Sequence, residues 1–359
     1  MAMIRSSEQS YYPRESPDCQ IVENLQLYPL TFTPVLRDYV WGGRRLETLY
    51  GRALPPGVVA ESWEISGYSG ASTVADAGAW AGQSLPTILS ELGERLVGAR
   101  GRWALMRDRF PLLVKLLDAH KDLSIQVHPD DAYAQVHEHG ELGKAEMWYV
   151  LHAEPEAQLI LGLKPGTTRA SFAAALQAGQ IENVLNYVPI QAGQTIPVPT
   201  GTIHALLAGT VVTEIQQNSD LTYRVYDWKR LGADGRPRPL HIDKALDVID
   251  FSGVDLGAIA PRLIEESEQI RRLELTRNRY FAVEKVELAA GAIYRGACDG
   301  ETLEIWGCIA GQAVVRCRDS AVPLPAIRYS LLPAALGSFA VSAPEPSVCL
   351  RVFLPPESA

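Results

Sequence analysis

All seven histidines, His120, His128, His137, His139, His152, His204 and His241, fall between residues 120 and 241 of the 359-residue chain, so imidazole chemistry belongs to its first two-thirds. Around the second of them, Leu123-Ser124-Ile125-Gln126-Val127-His128 alternates strictly between apolar and polar residues. In an extended strand Leu123, Ile125 and Val127 share one face, and Ser124, Gln126 and His128 share the other. Three polar groups in a row face either a cavity or water, and this segment alone weighs the two equally. Farther on, Gly193, Pro199, Gly201 and His204 stand in the run GQTIPVPTGTIH. Its Gly and Pro residues are turn formers, and His204 follows them at once. A core histidine satisfied by hydrogen bonds is the plainer reading, and the regular spacing argues against it.

That spacing, Gly, five residues, Pro, one, Gly, two, His, matches the second motif of the cupins. A first cupin motif supplies two ligands at i and i+2 and then a carboxylate; here the pair is Gln126 and His128. No carboxylate stands at the short spacing, but Glu146 lies on the expected strand Ala145 to Val150, after an insertion that carries His137 and His139. Gln126, His128, Glu146 and His204 thus form a set of two nitrogens and two oxygens. Imidazole, carboxylate and amide oxygen without thiolate suit Zn(II), with Mn, Fe or Co compatible, and leave positions for water or substrate. His137 and His139, in HEHGELGK, read as solvated.

The elements that must carry these groups read as mainly β. Short alternating runs are punctuated by 29 Gly and 24 Pro, the pattern of strands and turns. Helices interrupt it at 84–107, where Leu85, Ile88, Leu89, Leu92 and Leu96 repeat with helical spacing, at 167–178, and from His241 to Ile249. We expect a cupin jelly roll with two β-barrel domains and helical insertions. Residues 1–26 read as a mobile extension, 27–250 as the catalytic cupin domain, 251–272 as a linker with an acidic patch, and 273–359 as a C-terminal cupin-like β domain. The last contains no histidine, and Cys298, Cys308, Cys317 and Cys349 lack ligand spacing, so it is expected to hold no metal. Its inward positions read as mostly apolar, and its Pro- and Ala-rich stretch 320–357 as loops between short strands.

Composition removes other classes. Acidic residues outnumber basic ones 42 to 33, which argues against a nucleic-acid partner but permits a basic pocket for a small anion. No apolar run reaches the roughly 18 residues a membrane helix needs, and the polar first 26 residues do not read as a signal peptide. Five scattered cysteines give no disulfide framework, so a reducing cytoplasm is expected.

The segments FPLLVKLLDA (110–119), LSIQVHPDD (123–131), GKAEMWYVL (143–151), PVPTGTIHAL (197–206), TEIQQNSDLTYRVYDW (213–228) and LHIDKALDVI (240–249), with ESWEIS (61–66) upstream, resemble the type I phosphomannose isomerases, most closely their short bacterial branch. The likeness runs from about Leu30 to the C-terminus. It implies an aldose-ketose isomerase acting on mannose 6-phosphate and fructose 6-phosphate, with one zinc held by Gln126, His128, Glu146 and His204. It also implies that Arg224, Lys144 and Glu214 lie at the active site. Some members carry a histidine before the lysine where this chain has Gly143, so a proton transfer assigned to that histidine cannot operate here.

Such chemistry needs ring opening, a proton moved between C2 and C1, and a stabilised enediolate. Glu214 is the candidate base, since a desolvated carboxylate beside a metal can be tuned toward neutral pH; a metal-bound hydroxide competes for the role. Arg224 and Lys144 can stabilise oxyanion charge or hold phosphate. Lys115, in LLVKLL, is expected to face substrate, and Ser124 offers a hydroxyl to phosphate or to backbone. Trp148, Tyr149, Tyr223 and Tyr226 read as core or pocket wall, and Glu61 and Glu64 as structural. A non-catalytic cupin that senses phosphorylated sugars would keep the metal ligands without Lys144, Glu214 and Arg224 together. A redox iron cupin would want a histidine at position 126. The oligomeric state is not legible.

Overall fold

The computed structural model describes residues 26–232, 235–253 and 256–356; the expected N-terminal extension, apart from its last residue, lies outside them. At the centre stands a six-stranded antiparallel sheet in the spatial order Thr195–Val198, Glu146–Ala153, Thr210–Gln217, Leu112–Ala119, Glu61–Ser66 and Val35–Arg37. Side chains alternate across a strand, so each strand of this sheet serves two interiors. On Leu112–Ala119 every residue is buried. Val114 and Leu116 join a core shared with the C-terminal half, whereas Leu117 packs with Trp148, Leu159, Ile196 and Leu206 toward a second sheet. That second sheet has five strands in the order Tyr223–Tyr226, Ile125–Val127, His204–Leu206, Gln158–Leu163 and Leu185–Pro189. The candidate site lies between the two.

The C-terminal half repeats the plan. A six-stranded sheet (Arg262–Glu266, Ile270–Arg277, Ala282–Leu288, Ser347–Phe353, Glu304–Ala310, Arg328–Leu332) is paired with a four-stranded one (Ile293–Cys298, Gly337–Ser342, Gln312–Cys317, Ser320–Pro325). The architecture is the expected mainly β, cupin-type one, with a correction: each half is a sandwich of open sheets, and among the described residues no barrel is closed by strand pairing. The edges end in strands too short or too charged to pair further, such as Val35–Arg37 and the exposed Arg262–Glu266.

Three further expectations are refined. The C-terminal sheet reaches back into the stretch read as linker, because Arg262–Glu266 pairs antiparallel with Ile270–Arg277. The helix expected over 84–107 is broken into Leu85–Leu92, Glu94–Val97, a 3-10 turn at Ala99–Gly101 and Arg102–Leu105. Gly93 and Gly98 cause the breaks with φ of +50° and +81°, and a Cβ on Gly98 would meet the Glu301 backbone at 2.5 Å. Inside the C-terminal half, Glu284 and Glu304 are buried among the apolar residues, where Arg351 bridges them and Trp306 Nε1 donates to Glu304. No helix among the described residues is long and apolar enough to cross a membrane.

Candidate active site

Gln126 and His204 face each other in register on adjacent strands, and His128 follows at the strand end. Gly201 makes this delivery possible. It adopts φ +81°, donates its N–H to the His128 carbonyl at 2.9 Å and accepts from Asp250 at 2.9 Å. Glu146 comes from the opposite sheet. Its Oε2 lies 3.5 Å from His128 Nε2 and its Oε1 3.3 Å from His204 Nε2, and all three side chains are buried.

The two imidazoles are oriented alike. His128 Nδ1 is 2.7 Å from the Leu221 carbonyl and His204 Nδ1 is 2.9 Å from that of Thr202, so each Nδ1–H donates to backbone and each Nε2 keeps its lone pair, 3.1 Å from the Lys144 ammonium at His128 and 3.4 Å from the Gln126 amide at His204. Burial pushes His204 down to about 4, and burial with the Lys144 charge holds His128 well below its ordinary value, so both rings are neutral. Backbone carbonyls that fix the tautomer in this way are the outer partners a metal-binding histidine uses. Oε1 of Glu146 is buried without a hydrogen-bond donor, and the three ligand atoms lie within 4.8 Å of one another. A carboxylate with one buried, donor-free oxygen, clustered with two neutral imidazole nitrogens, fits a divalent cation. The Gln126 amide lies 3.4 Å from His204 Nε2, close enough for its oxygen, once turned inward, to join the set.

Positive charge crowds the same pocket. The Lys144 ammonium contacts Glu146 and lies 3.1 Å from His128 Nε2 and 3.9 Å from Glu214. Lys115 projects from the inner face of its strand, 3.5 Å from Glu214, 3.6 Å from Glu61 and 3.9 Å from Asp220, with its ammonium 4.4 Å from the Trp63 ring centroid. Burial works against its charge, yet those carboxylates outweigh burial and raise its pKa above the ordinary lysine value. Burial and the Glu214 carboxylate push Glu146 up to about 8.

Glu214 departs from expectation. Burial alone would raise it, but Lys144, Lys115 and the Trp148 indole, whose Nε1 donates at 2.8 Å, pull it below the ordinary carboxylate range. It is ionised rather than poised near neutral. Arg224 is half-buried with its Nε unpartnered, and burial and the neighbouring Arg238 lower its pKa. Ser124 donates to the Gln126 amide oxygen at 3.2 Å.

Ser124, Lys115, Gln126, Lys144, Glu214 and Arg224 line one pocket beside His128, Glu146 and His204, so every residue chosen from the sequence converges here. His137 and His139 are exposed, as expected. Tyr223 is buried core and Trp148 pocket wall, the latter also holding Glu214. Glu61, read as structural, lines the pocket together with Tyr39, Trp41, Asp220 and Arg238. Alternation in ESWEIS could have found Glu61, because Glu61 and Trp63 share a strand face and Trp63 Nε1 donates to Glu61 at 2.6 Å. Arg238 carried no such signal: it reaches the pocket from a loop, held by two hydrogen bonds to Asp227 at 2.7 and 2.8 Å.

Fold and site together define a cupin-type protein with a buried His-Glu-His centre beside a cation-lined pocket. The family described as phosphomannose isomerase type I, catalytic domain, matches residues 30–162. Mannose-6-phosphate isomerase ManA of Bacillus subtilis is 35% identical over 314 residues, covering 87% of this chain and 95% of ManA. A mannose-6-phosphate isomerase of Streptococcus mutans is 38% identical over 221 residues, 62% of this chain and 67% of that protein. The crystal structure of the Bacillus subtilis mannose 6-phosphate isomerase superposes with a TM-score of 0.81 at 34% identity, covering 90% of this chain and 99% of that one. The chain belongs to the type I phosphomannose isomerase family.

Proposed function

We propose that the chain interconverts mannose 6-phosphate and fructose 6-phosphate as an aldose-ketose isomerase, with one Zn(II) per chain held by Gln126, His128, Glu146 and His204. The observation that carries the proposal is the pairing of two tautomer-fixed imidazoles and a donor-free carboxylate oxygen with three cations, Lys144, Lys115 and Arg224, in one pocket. Bound there, the ion supplies Lewis acidity that polarises the sugar oxygens at C1 and C2. An ion held there would compete with Lys144 for Glu146, and Lys144 also lies 3.9 Å from Glu214.

Glu214, ionised and with Oε1 facing the pocket lysines, is the group we assign to take the proton from one carbon and return it to the other. Lys144 and Lys115 hold negative charge as it develops on the enediolate oxygens, an effect strengthened by their burial. Arg224, which makes no ion pair among the described residues, binds the phosphate through a planar fork, with Ser124 lining the same pocket. We read residues 27–250 as the catalytic unit and the C-terminal domain as metal-free, its buried carboxylates being satisfied by Arg351, Arg272 and Trp306. A cytoplasmic setting belongs to this reading, and the four described cysteines, Cys298, Cys308, Cys317 and Cys349, are buried and form no disulfide.

The test is a coupled assay of mannose 6-phosphate conversion with metal content measured on the same sample. Turnover that follows zinc, at a ratio near one per chain, is expected, and His204→Ala should lose metal and turnover together. Full activity in chelated, metal-free protein would sink the reading, and a ratio near two would overturn the metal-free C-terminal domain.

A further inference from the structure

Lys144 hangs from a three-residue segment, Gly143-Lys144-Ala145, that enters the Glu146 strand without belonging to it. Every N–H of that segment is held. Lys144 N–H donates to the Pro129 carbonyl at 3.1 Å, Ala145 N–H to Gln217 Oε1 at 2.9 Å, and Gly143 N–H to Asp131 Oδ1 at 2.8 Å. The segment also lies tight against the chain at 130–131, since a Cβ on Gly143 would meet the Asp130 carbonyl carbon at 2.5 Å.

The neighbouring aspartates divide the work. Asp130 caps the helix Asp131–His137 by accepting the Tyr133 N–H, which leaves the Asp131 carboxylate free to turn away from that helix. Asp131 Oδ1 also accepts from Gln217 Nε2 at 2.9 Å, so one oxygen fixes both Gly143 and the glutamine that grips Ala145. Its Oδ2 accepts from the Tyr280 hydroxyl at 2.8 Å and from Arg279 at 3.0 Å, both on the turn between Ile270–Arg277 and Ala282–Leu288 of the C-terminal sheet. That turn is itself tied, because Asn278 Oδ1 accepts the N–H groups of Tyr280 and Phe281.

We propose that Asp131, braced by Tyr280 of the C-terminal domain, is a positioning residue for the isomerisation: it fixes the backbone that carries Lys144. On this view the C-terminal domain, which contributes no group to the pocket, sets the geometry of one that does. The proposal rests on the function assigned above. A side chain that acts on charge developing at a sugar oxygen must be held to a fraction of an ångström, and a 1 Å displacement can cost on the order of a hundredfold in rate.

Steady-state kinetics on the full-length, zinc-loaded chain with mannose 6-phosphate test it, alongside metal content and thermal unfolding. Asp131→Ala should lower kcat by about tenfold or more with KM within about threefold and zinc retained, because Lys144 acts on the transition state. Asp131→Asn, which restores an acceptor for Gly143 and Gln217, should recover most of the loss. Tyr280→Phe removes one hydroxyl from the brace and should lower kcat by about two- to fivefold. Folded Asp131→Ala with wild-type kcat would overturn the proposal, leaving Asp131 a purely structural residue. Should that variant fail to fold, Tyr280→Phe decides, and an unchanged kcat with a lowered unfolding temperature would overturn it. Wild-type protein without turnover counts against the assigned reaction, whereas active wild type with unaltered variants counts against Asp131.

Discussion

At the scale of residues, the site is a balance of buried charges, and its cations differ in what they can do. Among the described residues Arg224 makes no ion pair, feeling Asp227 and Asp220 only at longer range, and sits beside Arg238, which Asp227 neutralises through two hydrogen bonds. Arg224→Lys keeps the charge and removes the fork, so kcat/KM should fall by about tenfold or more. A rise in KM alone would mark uniform binding of phosphate; an unchanged kcat/KM would remove Arg224 from the site. Asp227 is buried, which raises its pKa, but hydrogen bonds from Arg238 and Arg230 outweigh burial and hold it below the ordinary aspartate value of 3.8. A folded-state pKa below the unfolded one stabilises the fold above the unfolded value, and that stability is lost as pH falls through the folded value. Asp227→Asn should therefore be less stable than wild type by about 1–2 kcal/mol at neutral pH, with the gap closing below about pH 4. Denaturant titrations at several pH values measure it, and a gap that persists at acid pH would show that the charge is not responsible. These residues also mark what sequence could reveal. Gln126, His128 and His204 were legible because alternation and turn spacing are properties of the chain itself. Arg238 was not, because a loop side chain owes its place to a partner, here Asp227, that no periodicity announces.

Among the elements, the strand Leu112–Ala119 shows why a two-sided strand is hard to read. Both faces are covered, so apolar residues occupy positions of either parity, and the polar interruptions fall on both, Lys115 on the inner face and Asp118 on the other. The broken helix after Leu92 was obscured differently, since the leucine repeat carries on past Gly93 while backbone geometry stops there. The hairpin before His204 is the element on which the site depends most. Gly201 combines φ +81° with a space in which a Cβ would lie 2.9 Å from the Val248 carbonyl oxygen. Gly201→Ala should destabilise the protein by about 1–3 kcal/mol and weaken metal retention, because the same turn ties the end of the His128 strand. Thermal unfolding with and without zinc checks both effects. Wild-type stability with wild-type zinc affinity would show that the turn relaxes freely.

For the whole molecule, the domain division read from the sequence and the packing of the core lead to different expectations. The composition shift near residue 251 separates a histidine-bearing half, which carries every residue of the proposed site, from a histidine-free one. Packing does not respect it. One continuous apolar core takes in Leu30, Phe32, Val114, Leu116 and Met147 from the catalytic half and Phe281, Trp306, Leu331 and Leu350 from the C-terminal half. Leu30 pairs with Leu331 through two backbone hydrogen bonds of 2.8 Å, and Thr213 meets the Tyr329 hydroxyl at 2.7 Å across the seam. No local pattern could disclose this, because the outer face of the central sheet looks like any apolar strand face until its partner is known. A shared core makes the halves unfold together. In native-state hydrogen exchange, the strands Leu112–Ala119 and Ala282–Leu288 should therefore open with the same free energy and the same denaturant dependence. The comparison should be made on metal-stripped protein, since an ion held at the proposed site would stabilise whatever unfolds with it. If the C-terminal strand opens at lower denaturant while Leu112–Ala119 stays protected, the core is not cooperative and the halves are energetic domains after all. Equal protection would instead mean that the C-terminal sheet completes the catalytic one, covering a face of Val114, Leu116 and Met147 that alone would be exposed to water.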